Sequence, residues 1–520
     1  MVSQTTALAD SPAVAATSDA ARAVRPAALD RTARVARNVV VVLLSQVGVW
    51  IAGSGVGILL PRYVSGADIG RLTFATSFTG FFQIFVLFGS ERFITREVAR
   101  YPERAGTLAF NAVLMRLPLF LLAAVAMFAF MNVPLFDYSQ RTKDVVYVFT
   151  ISIFVTAVGN TVIAAMQGME RMTLISFMGI VERVLGSALG LGAIVLAGQN
   201  MRAYALVLLG ANIFSVVVLT GYFVHLVGVR WRFEPETCKR LARGGMPFLI
   251  WGIALVVYGT VDVTILSILT DDDVVGWYGT AYRFIGFAGF FPFALTTALL
   301  PSISAAPLED LRALTRRALD ITMFISIPLT MFFIVCATAI IDFLGYSSDY
   351  DNSIILIRIL ALHVPLVGFT MIGGTVLIAE NREGPRTKAA IAAAIIAPVL
   401  NLATIPYFQS RFDNGAIGAA INSVLIEMFI AVAIIVLVEG GVFSRQNLVT
   451  ALRCIVASLP MGAAMYLAAP GGLLAMMALG GIVYLVAALL VKAVSIDELR
   501  EIAATAIRKR VQREADPAAV

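Results

Sequence analysis

Eight ionisable side chains fall inside runs that are otherwise apolar: Arg116, Glu182, Arg183, Asp262, Arg283, Arg358, His363 and Glu427. A lone guanidinium in hydrocarbon costs at least about 2.5 to 3.5 kcal/mol on insertion scales, so it is expected to face a bundle interior or wet cavity, opposite a carboxylate or an anionic ligand. Arg283 is the sharpest case, the single charge between Val274 and Leu300. By depth along their runs, Arg116, Arg183, Arg283 and Arg358 form a ladder of positive charge. A guanidinium fork matches two phosphate oxygens at once, so the ladder suits an anion that must shed water, a pyrophosphate being the obvious example. The alternative is neutralisation within the bundle, Arg183 by Glu182 or a neighbouring helix and Arg283 by Asp262. Glu427 and Asp262 either serve that purpose or take up a proton or sodium ion. His363 either titrates near neutral pH or is merely hydrogen-bonded.

The elements that must carry these groups follow from composition. Of 520 residues, 59% are hydrophobic and 14% charged, with a mean hydropathy of +0.88. These values specify a polytopic membrane protein. With roughly 20 apolar residues needed per crossing, the chain reads as an all-α protein of about fourteen transmembrane helices, near 38–60, 72–89, 107–131, 145–167, 172–198, 203–228, 246–269, 274–300, 321–342, 354–379, 388–406, 415–438, 449–468 and 471–492. The runs are too long and too uniformly apolar for the alternating strands of a barrel.

With the N-terminus in the cytoplasm, and with Lys388 and Lys492 at cytoplasmic span ends counted there, 28 of the 39 Lys and Arg residues fall on that side, 6 in the opposite loops and 5 within spans. The positive-inside rule therefore puts both termini in the cytoplasm. It also explains the net charge of +6 without nucleic acid. Arg92 and Arg96, in a basic loop after the second span, are expected to guard a cytoplasmic entrance. Cys238, Cys336 and Cys454 have no CxxC spacing and imply neither disulfide nor metal site. No cofactor is implied, and without a GxxxxGK[ST] loop the chain is not expected to hydrolyse ATP.

Several segments carry a family resemblance. The stretch from Pro61 to Glu103 keeps Arg62, Tyr63, Gly70, Gly89, Glu91, Arg92, Arg96 and Glu97, although Ser65 and Gly66 stand where Leu-Gly-Pro is usual. Gln167–Met172, Val275–Ile285 and Asn401–Ala420 match further segments in order. On these residues the chain resembles the polysaccharide (O-antigen type) flippases of the multidrug/oligosaccharidyl-lipid/polysaccharide exporter superfamily. The resemblance implies a non-enzymatic transporter in a bacterial inner membrane, moving a polyprenyl-pyrophosphate-linked oligosaccharide outward. It also implies a polysaccharide polymerase and glycosyltransferases as partners. A cation-coupled multidrug exporter of the same superfamily is the alternative. A polymerase or glycosyltransferase is disfavoured by the short outer loops, and a lipid II flippase by the Pro61–Gly70 segment.

An internal repeat points to the same architecture. An offset of 206 aligns Gly70 with Gly276, Ala75 with Ala281, Phe78 with Phe284, Gly80 with Gly286 and Phe81 with Phe287; four inserted residues later, Leu117–Leu119 meets Ile327–Leu329. Six helices per copy give parallel repeats around a central cavity. The organisation expected is a cytoplasmic tail (1–36), two six-helix bundles (37–228 and 246–440) joined by a basic linker (229–245), a helix pair (441–492) and an amphipathic tail (493–520). In this alignment Arg283 falls on Ser77, so the cavity should be electrostatically lopsided.

Overall fold

The computed structural model describes residues 48–50 and 53–493, apart from 197, 199, 229–231, 306–307, 381 and 439–442. The terminal segments 1–36 and 494–520 lie outside these residues. Among the described residues the protein is helical and contains no strand. Helix α1 (48–50 and 53–59) ends in a 3₁₀ turn, Leu60–Arg62. It is followed by α2 (Gly66–Leu87), α3 (Glu91–Arg100), α4 (Ala105–Met131), α5 (Gln140–Gly168), α6 (Met172–Leu196) and α7 (Met201–Val227). The second half contains α8 (Pro235–Leu269), α9 (Asp272–Ala288), α10 (Phe290–Ala305), α11 (Leu308–Leu344), α12 (Asp351–Ala361), α13 (His363–Ala379), α14 (Glu383–Phe412) and α15 (Ala416–Leu437). The hairpin α16 (Arg445–Leu467) and α17 (Gly472–Leu490) closes the chain.

Among the described residues, eleven helices are long and apolar enough to cross a membrane, and the bent pair α12–α13 makes a twelfth when taken as one span. Of the fourteen expected spans, the remaining two fall on α1, of which only 48–50 and 53–59 are described, and on the interrupted pair α9–α10. The two ends of the bundle differ in charge. One, here the acidic end, carries the turns around Asp271 and Asp349. The other, the basic end, carries α3 and the connection into α8.

Two spans that the sequence presents as continuous are broken, each next to a proline. Pro292 lies four residues beyond Ala288, where α9 stops, and Pro365 lies four beyond Ala361, where α12 stops. A proline cannot donate to the carbonyl four residues back and its ring clashes with it. At the second break the axis bends by 41°. The freed Ala361 carbonyl accepts a hydrogen bond from Thr330 Oγ1 on α11 at 3.0 Å. Pro328 inside α11 frees Phe324 O in the same way, and Tyr484 Oη on α17 donates to it at 2.7 Å. Where water is absent, a neighbouring hydroxyl is what makes such a break tolerable. The last bond also ties the appended hairpin to the second half.

Helix α2 begins six residues before the expected span. Ser65 caps it by accepting from Asp68 N, and Ser65 Oγ also donates to Asp68 Oδ2 at 3.1 Å. The supposed basic loop after α2 is instead the amphipathic helix α3. Its Ile94 and Val98, one turn apart, are buried while Arg92, Arg96 and Arg100 are exposed. That spacing separates an apolar from a basic face.

The repeat is visible in packing. Helices α6 and α7 pack as α14 and α15 do, and α5 against α7 as α13 against α15. The two copies meet where α2 crosses α9. A Cβ placed on Gly70 would collide with the Asp272 carbonyl and stand 3.0 Å from Gly276 N; one placed on Gly276 would collide with the Gly66 carbonyl and stand 3.1 Å from Gly70 N. The offset of 206 converts Gly66 into Asp272 and Gly70 into Gly276, so the contact is reciprocal and the repeat axis passes through it. Only glycine allows two helix backbones to approach this closely.

Candidate functional site

Beneath that crossing lies a cavity of about 650 Å³. Helices α1, α2, α5, α6 and α7 form one wall; α8 and α9 form the other. Its acidic-end roof is laced across the two halves. Tyr350 Oη donates to Val64 O at 2.8 Å and Tyr346 Oη to Ile58 O, while within the second half Trp277 Nε1 donates to Asp349 O at 2.6 Å. Arg71 Nε binds Asp272 Oδ2 at 3.0 Å, and Thr142 Oγ1 donates to the same oxygen at 3.3 Å.

Two of the four arginines of the expected ladder meet in this cavity. Arg183 comes from α6 and Arg283 from α9, one from each half. Helix α1 supports both. Arg283 Nη1 donates to Gly57 O at 2.8 Å. The Arg183 guanidinium lies against Gly53, one turn away, so closely that a Cβ there would collide with it. Among the described residues, none of the ion pairs involves Arg183 or Arg283. Glu182 is bound instead by Asn212 Nδ2 at 3.0 Å. Asp262 accepts from Tyr278 Oη, from Ser423 Oγ at 3.3 Å and from Val263 N at 2.8 Å. Ser77, the repeat equivalent of Arg283, also lines the cavity, opposing a hydroxyl to a guanidinium.

Arg116, expected to project into the cavity, does not line it. Its side chain is fully buried between the end of α2 and the middle of α5. Nη1 donates to Ala157 O and Thr161 Oγ1, both at 2.6 Å; Nη2 donates to Leu87 O at 3.1 Å and Ser90 Oγ at 2.8 Å, and reaches Glu91 at 3.4 Å. Depth in a span does not distinguish a cavity-facing arginine from a clasp between helices. Removing a buried charge that satisfies this many acceptors costs about 3 kcal/mol or more. Arg116→Met is therefore expected to lower the thermal unfolding midpoint in detergent by several degrees, while transport per folded molecule stays within about threefold of wild type. Transport loss without destabilisation would contradict the clasp.

Arg358 also lies away from the cavity, on α12, where Nη2 donates to Thr338 Oγ1 at 3.2 Å. Arg92 and Arg96 stand at the basic end on α3. The Arg92 guanidinium lies 5.2 Å from the Phe248 ring centroid and 6.0 Å from that of Trp251, and Arg386 approaches Trp251 at 5.8 Å. Arg96 covers Phe93 at 5.7 Å. Trp251 thus brings together arginines from α3 and α14, which sequence spacing does not reveal.

Glu427 lies in the second half, almost fully buried. It accepts from Tyr258 Oη at 2.6 Å and from Thr370 Oγ1, and lies 3.6 Å from His363 Nε2. Asp262, His363, Tyr258 and Tyr282 border a smaller chamber of about 220 Å³, with Asn401 and Asn422. Neither Asp262 nor Glu427 forms an ion pair with an arginine among the described residues. The chemistry on offer is thus a cationic pole in the central cavity and, behind it, a small polar chamber bordered by one carboxylate, Asp262, with Glu427 buried nearby against Tyr258 and His363.

The sequence matches the family model for polysaccharide biosynthesis proteins over residues 35–306 and the MatE model over 247–404. No curated protein matches it. Among solved structures, the inward closed conformation of the lipid II flippase MurJ is similar over 87% of this chain and 98% of its own, with 16% identity and a TM-score of 0.73. An inward-facing multidrug resistance transporter of the MATE family is similar over 76% of this chain and 92% of its own, with 17% identity and a TM-score of 0.56. The Vibrio cholerae MATE transporter VcmN covers 79% of this chain and 100% of its own, at 14% identity and a TM-score of 0.53. At these identities the likeness is one of fold.

Proposed function

Because the chain belongs to the polysaccharide biosynthesis protein family and is a membrane transporter rather than an enzyme, we propose that it is a flippase for a polyprenyl-pyrophosphate-linked oligosaccharide. In this reading the basic end faces the cytoplasm and the acidic end faces outward across a bacterial inner membrane, consistent with the lysine and arginine distribution. The observation that carries the proposal is the meeting of Arg183 and Arg283 in one cavity with no ion pair to either among the described residues. Such a pair offers a pyrophosphate two forks, one from each half. The sugar-pyrophosphate head enters the cavity while the polyprenyl tail stays in lipid, and rocking of the halves exposes the head on the other side. Arg92 and Arg96 receive the head at the basic end.

Membrane potential favours outward movement of the anion by about 2.3 kcal/mol per charge per 100 mV. Asp262 and Glu427 are proposed to bind a proton or sodium ion that resets the cycle. Release of the head supplies a polysaccharide polymerase acting after glycosyltransferases have built it.

The reading is tested in proteoliposomes holding a fluorescent polyprenyl-pyrophosphate saccharide. Protein-dependent movement of the fluorophore to the opposite leaflet, accelerated by an inside-negative potential, is the expected result. A cation-coupled drug exporter, the alternative that the MATE-like fold keeps open, would leave the saccharide in place and expel a lipophilic cation along an ion gradient.

A further inference from the structure

The central cavity contains a second polar feature that pyrophosphate does not account for. On the wall opposite α8 and α9, three side chains from successive helices form a relay: Thr156 on α5, Glu182 on α6 and Asn212 on α7. Thr156 Oγ1 donates to Asn212 Oδ1 at 3.3 Å, and Asn212 Nδ2 donates to Glu182 Oε1 at 3.0 Å. The first bond fixes which way the amide points and the second holds the carboxylate on the cavity wall. An ionised carboxylate offers about four acceptor positions and no donor. The amide fills one. Glu182 and Arg183 are adjacent in sequence, so their side chains leave the helix about 100° apart, and both border the cavity without pairing with each other.

A ligand that fits must therefore do two opposite things within one cavity of about 650 Å³. It must present anionic oxygens to Arg183 and Arg283 and neutral donors to Glu182. A pyrophosphate alone has only acceptors to offer at neutral pH and would be repelled by the carboxylate. A sugar hydroxyl is a neutral donor, and adjacent hydroxyls on one ring can address both carboxylate oxygens. Cavities of roughly 300 to 1,000 Å³ hold ligands of drug size, so this one accommodates the pyrophosphate and the ring or two next to it rather than a long oligosaccharide. Ser152 and Ser187 on the same wall add hydroxyls suited to the same ring.

We infer that Thr156, Glu182 and Asn212 form a subsite for the sugar adjoining the pyrophosphate, and that Glu182 selects a neutral sugar there over one bearing a carboxylate. The inference rests on the flippase reading and adds to it the chemical class of the first sugar. A uronic acid at that position sets a carboxylate against a carboxylate in a confined site, which is how a binding site rejects a near-identical competitor.

The test uses two fluorescent substrates with the same polyprenyl pyrophosphate, one carrying a neutral hexose and the other the corresponding hexuronic acid, in proteoliposomes of the full chain. Wild type is expected to flip the hexose substrate at least about tenfold faster. Glu182→Gln keeps the shape but removes the charge. It is expected to slow the hexose substrate about fivefold, to speed the uronic one, and to bring the two rates within about threefold of each other. Equal rates in wild type, a preference unchanged in Glu182→Gln, or loss of both activities in that variant would each overturn the subsite, the last by marking Glu182 as a coupling residue. Failure of wild type to move either substrate would instead overturn the flippase reading itself.

Discussion

Arg283→Ala is expected to lower the flipping rate at least about a hundredfold, equivalent to about 3 kcal/mol, because truncating one member of a desolvated charge pair typically costs 2 to 5 kcal/mol. Arg283 reaches the cavity from α9 and is held by Gly57 O of α1. Its charge has no ion-pair partner among the described residues, and in the proposed mechanism the transported anion is the group that compensates it. Arg183→Ala should have a comparable effect, and the double variant little more, since residues that act as a unit are not additive. Arg283→Lys keeps the charge but loses the fork, and should retain activity roughly tenfold below wild type. Gly53→Ala offers a milder version, because its methyl would displace the Arg183 guanidinium without removing any charge. Initial flipping rates at matched protein density decide the matter. Unchanged flipping in both single alanine variants would remove the arginines from the mechanism.

The second large effect concerns the crossing of α2 and α9. A methyl on Gly70 or Gly276 meets backbone, which cannot rotate away as a side chain can. The helices must separate, and overpacking of this kind costs about 1 to 3 kcal/mol or more in the closed state alone. Gly70→Ala is therefore expected to bias the protein toward opening at the acidic end. A cysteine at Ser77, inside the cavity, should then react with an impermeant maleimide added from that side several-fold faster, while flipping falls about tenfold because closure is no longer favoured. Gly80 is the control: it lies on the same helix with no atom within 4 Å of its added Cβ, so Gly80→Ala should change neither reading. Identical labelling in Gly70→Ala and wild type would show that the crossing does not gate access.

Much of this architecture was legible in the chain. Long apolar runs separated by charge mark eleven of the crossings and, with the bent pair, a twelfth among the described residues, and Gly70 with Gly276 reveals the repeat because backbone contact tolerates no other residue. The missed features share one cause, the chemistry of neighbours remote in sequence. Arg116 looks like Arg183 when judged by depth, and only the carbonyls of Leu87 and Ala157 distinguish a clasp from a ligand-facing charge. Nothing local to Glu182 announces Asn212, thirty residues on. Other features do carry a local signal in the sequence. Ser65 followed three residues later by Asp68 has the spacing of a helix start, and Pro292 and Pro365 mark where their spans break. In each case a long apolar run obscured a local signal.

The roof of the cavity has a further consequence for speed. Most gates between helices interlock side chains, which must find their rotamers again each time the gate shuts. At the Gly70 and Gly276 contact the mating surfaces are peptide planes and glycine hydrogens, shapes that do not change when the surfaces part. In the proposed cycle such a joint parts without unthreading, and what must be found again on closing is the side-chain lacing beside it, the Arg71–Asp272 pair and the hydroxyl bonds of Tyr346 and Tyr350.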